Sequence, residues 1–152
     1  MAKRGLALKI LIVVAAMLWL LVLAYSDRNT VEGIVTHKTV SGVKDDTSYT
    51  ILVNYYQDGE QFILLKDEDY EEYFSPRGED AVVTESLERA MKEVYSPVNY
   101  YVNVRVALEE GTRPYRVSRE VFNNIEVGTK VGFRWSGAAE IPEIVELLTT
   151  SG

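Results

Sequence analysis

The sequence contains no cysteine and a single histidine, and both shortages exclude whole classes of chemistry. Without cysteine the chain cannot form a disulfide framework, a thiolate zinc site or a thiol nucleophile. With His37 as its one imidazole it cannot build a metal site from several histidines. The sequence also lacks a phosphate-binding loop, a dinucleotide fingerprint, an EF-hand pattern and a nucleophile elbow. We therefore expect neither a cofactor nor an enzymatic activity.

What is present is an ordinary folding composition. The 152 residues are 47% apolar and 26% charged, which excludes an intrinsically disordered chain and favours one small globular domain. Acidic residues outnumber basic ones by 23 to 16. Nucleic-acid binding depends on Lys and Arg that neutralise phosphate, so this acidic chain is not expected to bind nucleic acid.

The N-terminus carries the strongest single signal in the chain. Residues 10–24 contain no polar side chain, and a basic start at 1–4 and Lys9 precede them. A transmembrane helix needs about 20 predominantly apolar residues. Residues 5–26 supply that length, provided that the ammonium of Lys9 extends back to the lipid headgroups. We therefore predict that the chain is anchored in a membrane through residues 5–26.

A signal peptide cleaved after Ser26 is the alternative, because it too has a basic start, a short apolar stretch and small residues at the cut. In both cases the cations precede the apolar segment, so the positive-inside rule keeps residues 1–4 cytoplasmic. Residues 27–152 are then a periplasmic or extracellular β-rich domain. Without the three cations of the leader this domain carries 13 basic and 23 acidic residues, a net charge of −10.

Beyond residue 30 the apolar side chains recur at every second position, which is typical of β-strands. This alternation predicts seven short strands, near 31–40, 49–56, 61–65, 100–108, 115–117, 131–135 and 144–148. Asp58-Gly59 and Glu110-Gly111 are expected to form hairpin turns, because glycine tolerates a positive φ. Seven short strands with close turns favour a small OB-like barrel or a sandwich. Phe122, Ile125 and Val127 are expected to close one end of such a barrel.

A helical insertion is predicted at about 67–97. Its apolar residues follow a spacing of i, i+3, i+4 and i+7, which forms one stripe along an amphipathic helix, at Leu87, Ala90, Met91 and Val94. Thr84 is a suitable N-cap for this helix. The stripe is expected to pack on the β-sheet.

The start of the insertion combines acidic and aromatic residues more densely than any other segment. Aromatic side chains framed by charge are typical of protein interfaces. We predict that a protein partner binds here, through Glu68, Glu71, Glu72, Tyr70, Tyr73 and Glu88. The alternative is a solvated helical turn whose aromatic side chains pack inward.

His37 lies on the first predicted strand, and Ser41, Asp45 and Asp46 follow it. A histidine, a serine and an aspartate could form a hydrolytic triad, but Ser41–Thr47 is expected to be a loop that cannot position the side chains. We therefore expect a strand histidine with one face in water.

These observations predict a single-pass, membrane-anchored interaction module that is non-catalytic and binds or assembles with another membrane or envelope protein. One alternative is a structural accessory subunit of a membrane complex, whose anchor packs on other transmembrane helices. Another is a secreted small hydrolase. The expected partners are the membrane and a protein, with no nucleic acid and no small-molecule cofactor.

Overall fold

The structure is a computed structural model that describes residues 12–21, 30–74, 80–107, 110–136 and 141–151. The chain divides into two units, Met1–Thr30 and Val31–Gly152. In the first unit, residues 12–21 form helix α1, whose side chains are exposed. Among the described residues, no helix has the length and apolar character needed to cross a membrane. The anchor predicted at 5–26 lies partly outside the described residues and stays a prediction.

The second unit is mainly β. Its described strands are β1 (Thr30–Lys44), β2 (Thr47–Gln57), β3 (Glu60–Leu65), β4 (Val98–Val106), β5 (Arg113–Val117), β6 (Lys130–Ser136) and β7 (Glu143–Ser151). They form one seven-stranded sheet in the order β3-β2-β1-β4-β5-β7-β6, and β1 also pairs with β6. That extra pairing closes β1, β4, β5, β7 and β6 into a five-stranded barrel, from which β2 and β3 extend the sheet outward. A small barrel is thus confirmed, and the sandwich is not formed.

The first strand belongs to both parts of the sheet. β1 is 15 residues long, and its register shifts between Val35 and His37 and again between Val40 and Ser41. A β-bulge bends a strand and increases its local twist. The two bulges therefore allow β1 to pair with β6 and β4 around the barrel and then with β2 in the extension.

The prediction of a loop at Ser41–Thr47 is wrong. Ser41 continues β1, which runs to Lys44, and the turn contains only Asp45 and Asp46, with φ of 50° and 58°. Asp is among the few non-glycine residues that adopt this left-handed region readily, and two such residues in succession suit a tight hairpin. Because the turn contains no glycine, the sequence pattern did not reveal it.

Three short helices accompany the strands in the second unit's described ranges. They are a 3-10 helix (Glu68–Tyr73), α2 (Glu85–Val94) and α3 (Arg119–Asn124). The Thr84 hydroxyl accepts a hydrogen bond from the Leu87 backbone N–H at 3.2 Å, which caps α2 as the sequence predicts. Leu87 and Met91 of the apolar stripe are buried.

The core lies inside the barrel and under the helices. Val104 and Phe133, each central in a period-two pattern, are fully buried. The Phe133 ring meets that of Tyr115 edge to face, with centroids 4.7 Å apart. Phe122 in α3 and Ile125, directly after the helix, are fully buried as well.

Candidate functional site

Two rows of side chains cross the outer surface of five neighbouring strands. Residues directly opposite each other in antiparallel strands point to the same face of the sheet. The cross-strand partners of the first row are Phe62, Tyr55, His37, Asn103 and Pro114, and those of the second row are Leu64, Val53, Thr39, Tyr101 and Arg116. The intervening residues Lys38, Val102 and Tyr115 are buried inside the barrel. We call these ten residues the outer face.

The outer face is aromatic and apolar at its β2–β3 end. Phe62 and Leu64 are 38% and 43% exposed. The rings of Tyr55 and Phe62 stack with centroids 5.4 Å apart and an angle of 22° between their planes. Large apolar side chains that share one surface, rather than scattered single ones, are typical of interaction sites.

A small cavity lies near the middle of the outer face. Its volume is about 210 Å³, and it is lined by His37, Thr39, Tyr101, Asn103, Pro114 and Ile141. Pockets for drug-sized ligands usually measure about 300–1,000 Å³. This cavity is therefore suited to a single side chain or a small group of a larger partner.

His37 is held in place by a hydroxyl. The Thr36 Oγ1 donates to the backbone carbonyl of Asn103 at 3.1 Å, and it lies 3.1 Å from His37 Nδ1. Burial lowers the pKa of His37, so the ring is neutral at pH 7. Neither Ser41 nor the Asp45–Asp46 turn lines the cavity.

A buried lysine lies behind the outer face. The Nζ of Lys38 is 2.8 Å from Asp80 Oδ1, and it donates to the backbone carbonyl oxygens of Ala81, Phe122 and Ile125 at 3.3, 3.0 and 2.8 Å. Burial lowers the pKa of Lys38, and the Asp80 carboxylate opposes that effect. Burial likewise raises the pKa of Asp80, against the influence of Lys38. These contacts occupy the ammonium within the fold, so Lys38 has a structural role.

The residues predicted to bind a partner divide into two groups. Glu68, Glu71 and Glu72 are exposed together on the 3-10 helix. Tyr70 on the same turn is buried in the core, and Tyr73 is half-buried. The acidic–aromatic turn therefore points its charges outward and its rings inward, which corresponds to the alternative interpretation for the two tyrosines.

The segment Asp67–Glu72, which we call the acidic turn, is tied to the rest of the domain through Asp67. One carboxylate oxygen of Asp67 accepts from the backbone N–H of Asp69 at 3.2 Å and caps the 3-10 helix. The other oxygen accepts from the Tyr95 hydroxyl at 2.7 Å. Burial and the Asp67 carboxylate raise the pKa of Tyr95, so this hydroxyl remains a donor at physiological pH.

Glu88 is already engaged within the fold. Its carboxylate accepts from the Tyr100 hydroxyl at 3.0 Å and pairs with Lys92 at 3.0 Å and with Arg119 at 3.2 Å. Burial on its own would raise the pKa of Glu88, but the hydrogen bonds from Lys92 and Tyr100 and the nearby cationic charges lower it. A role for Glu88 in partner binding stays a prediction.

Comparison of the chain with protein-family models, curated proteins and solved structures gives no match. Within the described ranges, no group of three or more His, Asp or Glu side chains is placed to hold a metal ion. Two surfaces of the described residues are therefore the candidate sites, the outer face and the acidic turn (Asp67–Glu72). The sequence pattern indicated the second surface but not the first.

Proposed function

We propose that this chain is a non-catalytic interaction module, anchored in a membrane through residues 5–26. The barrel is held outside the cytoplasm, in the periplasm or the extracellular space, where it binds or assembles with another membrane or envelope protein. The basic, apolar leader supports the anchor and its orientation.

We further propose that the barrel is OB-like. In support, the ring order is β1-β4-β5-β7-β6, and α3 lies in the connection between β5 and β6. OB barrels use the face of their second and third strands, together with adjoining loops, to bind elongated ligands. β4 and β5 hold those positions in the ring, and they contribute four of the ten residues of the outer face. The architecture on its own does not define a ligand.

The outer face is the observation that carries the proposed function. Its aromatic and apolar side chains lie on paired strands, so their positions are fixed before a partner arrives, and binding costs little conformational entropy. The cavity between His37 and Tyr101 offers a place for one anchoring side chain of the partner. The net charge of −10 beyond the leader favours a protein over a nucleic acid.

The acidic turn is the second surface of the module. Glu68, Glu71 and Glu72 are exposed on a helix that Asp67 and Tyr95 hold in place. Exposed charges of one sign increase association rates with oppositely charged surfaces and add little to fold stability. We propose that this turn steers a basic region of the partner toward the barrel.

Topology is tested first, with a C-terminal tag on the full chain. Protease added outside intact cells should remove an extracellular tag, protease added to spheroplasts should remove a periplasmic one, and the mature chain should retain Met1. A mature N-terminus at Asp27 would exclude the anchor but leave export in place. A tag that is protected in spheroplasts until the cytoplasmic membrane is permeabilised would exclude the extracytoplasmic domain.

Partner binding is tested by photo-crosslinking in living cells. A photoreactive residue is placed at Tyr101 on the outer face, at Glu71 on the acidic turn, or at Val145, which is 59% exposed on β7 and serves as the control. We expect one discrete protein adduct at Tyr101, a weaker one at Glu71, and none at Val145. Adducts at Glu71 alone would assign binding to the acidic turn, and equal labelling at all three sites would contradict a specific interface.

A further inference from the structure

β3 is an edge strand of the sheet. It stands at the end of the order β3-β2-β1 and pairs with β2 along Glu60–Leu65. An edge strand exposes a row of unpaired backbone N–H and C=O groups, which natural proteins usually protect with charge, proline or a covering segment. The six residues of β3 include no proline and one charge, Glu60.

The ladder to β2 defines which backbone groups of β3 are free. The Lys66 N–H donates to the Ile51 carbonyl at 2.8 Å, and Gln57 and Glu60 flank the two-residue turn at Asp58-Gly59. In an antiparallel ladder, hydrogen-bonded residues alternate with non-hydrogen-bonded ones. The even-numbered residues of β3 therefore bond to β2, and the backbone groups of Gln61, Ile63 and Leu65 point away from it.

The chain that follows β3 turns away from this edge. Lys66 is still bonded to β2, Asp67 reaches Tyr95, and Tyr70 enters the core. Within the described residues, no backbone hydrogen bond from another element reaches Gln61, Ile63 or Leu65.

We propose that β3 pairs antiparallel with β3 of a second copy of this chain, about a two-fold axis at Ile63. In this register Ile63 lies opposite Ile63 of the second copy, and Gln61 lies opposite Leu65. All three residues with outward-facing backbone groups then form hydrogen-bonded pairs, which a shift by two residues would not allow. The pairing would hold whether or not residues 5–26 span a membrane.

Side-chain charge favours the same register. It places Glu60 opposite Lys66 of the second copy at both ends of the strand, and Phe62 opposite Leu64 between them. Neither Glu60 nor Lys66 has an ion-pair partner among the described residues. A shift by two residues would instead place Glu60 opposite Leu64 or Lys66 opposite Phe62. Directly opposed pairs of opposite charge stabilise antiparallel strands.

The edge strand is self-complementary, which favours a second copy of this chain over a foreign peptide as its partner. A two-fold interface requires that one surface match itself, and the segment Glu60–Lys66 does so in charge and in apolar character. The even-numbered side chains share the outer face with Tyr55 and Val53. Pairing would therefore join the outer faces of two copies into one continuous surface.

The absence of cysteine allows a direct test in the full chain, since each introduced thiol is the only one. Hydrogen-bonded cross-strand residues have Cα atoms about 5.5 Å apart, within disulfide range. Ile63→Cys should therefore give a crosslinked dimer under mild oxidation of the full chain, whether the chain is recovered in membranes or in solution. Gln61→Cys and Leu65→Cys should not, because each lies about 13 Å from its own copy, four residues along the strand.

The double variant Gln61→Cys/Leu65→Cys should crosslink as well, and it tests the same register with Ile63 left in place. Because Ile63 and Leu65 both pack partly on the core, thermal unfolding of each variant checks that the domain is folded. Glu60→Lys or Lys66→Glu alone should lower the crosslinked fraction of Ile63→Cys several-fold, and the two changes together should restore it. Absence of a dimer in both Ile63→Cys and the double variant would overturn the proposal. Crosslinking of Ile63→Cys only to a different protein would also overturn it, because β3 would then accept a foreign strand.

Discussion

Lys38 of β1 and Asp80, which precedes α2, form an ion pair of 2.8 Å in which the lysine has no exposed surface. The same ammonium donates to the carbonyl oxygens of Phe122 and Ile125 at the end of α3. One side chain thus connects the barrel wall to two helical segments. An isolated buried charge is strongly unfavourable, so this arrangement is stable only because acceptors surround the ammonium.

Replacing Lys38 with Met should unfold the domain at lower denaturant concentrations. Met is similar in length but cannot donate, so Asp80 and the buried carbonyl oxygens would lose their partner. Breaking a buried ion pair from one side costs about 3–5 kcal/mol. The free energy of unfolding, followed by tryptophan fluorescence in denaturant, measures the change.

As a control, Lys130→Met breaks the exposed 3.0 Å pair with Glu32 and should cost less than about 1 kcal/mol. Equal small losses would show that the buried ammonium is dispensable.

Truncation of the barrel core should have a similar effect for a different reason. Val104→Ala and Phe133→Ala each remove buried volume that the surrounding strands cannot refill. Such changes cost about 2–5 kcal/mol in well-packed cores. Val145→Ala on β7, where the side chain is 59% exposed, should leave the thermal midpoint nearly unchanged. A normal midpoint in both core variants would mean that the inward phase of β4 and β6 is not the one described.

The parts of the fold that the sequence predicted are those with a local signal. In β4, Tyr100, Val102 and Val104 alternate with Tyr101, Asn103 and Arg105, and the structure confirms that the first set is buried. The α2 cap at Thr84 is likewise decided within four residues of sequence. The period of the apolar side chains and the capping residues can be predicted from neighbouring residues alone.

The outer face could not be predicted from local sequence patterns, because its geometry depends on a β-bulge. Val35 points into the barrel, and simple alternation from it would place His37 inside and Lys38 outside. The register shift between Val35 and His37 reverses the two, which buries the lysine and brings the histidine to the outer face. The face itself combines five strands that are distant in sequence, so no single segment reveals it.

The hydrogen bond between Tyr95 and Asp67 should control how firmly the acidic turn is held. Tyr95→Phe keeps the ring but removes the hydroxyl that lies 2.7 Å from Asp67 Oδ2. A hydrogen bond to a charged group contributes about 1.5–3 kcal/mol. We expect faster amide hydrogen exchange across residues 68–73 in this variant, with little change in the barrel strands.

Tyr101→Phe is the matched control for that experiment, because it removes a tyrosine hydroxyl on the outer face, away from Asp67. Exchange across 68–73 should then equal that of the wild type. If both variants exchange alike, the acidic turn is held by the burial of Tyr70 rather than by the hydrogen bond.

His37 should make the domain sensitive to mild acid. Burial lowers its pKa below the unfolded value of 6.5, so between these two values the unfolded chain binds the proton more readily than the folded chain. Stability should therefore fall as the pH is lowered through 6.5 toward the pKa of the folded state. Below the folded-state pKa of His37, both states bind the proton, and the free energy of unfolding falls no further from this cause. His37→Gln keeps a polar side chain but cannot be protonated, and it should remove this part of the pH dependence.

The free energy of unfolding of the wild type and of His37→Gln, measured over a pH series, checks this expectation. Glu88 supplies an internal reference for both proteins. Its lowered pKa gives stability that is present above its unfolded value of 4.5 and is lost as the pH falls through the lower folded value. The two curves should thus separate around pH 6.5 and below but share the further loss in stronger acid. Parallel curves throughout would mean that the imidazole is as well hydrated in the fold as in the unfolded chain, and that the cavity beside Tyr101 is open to water at the position of the ring.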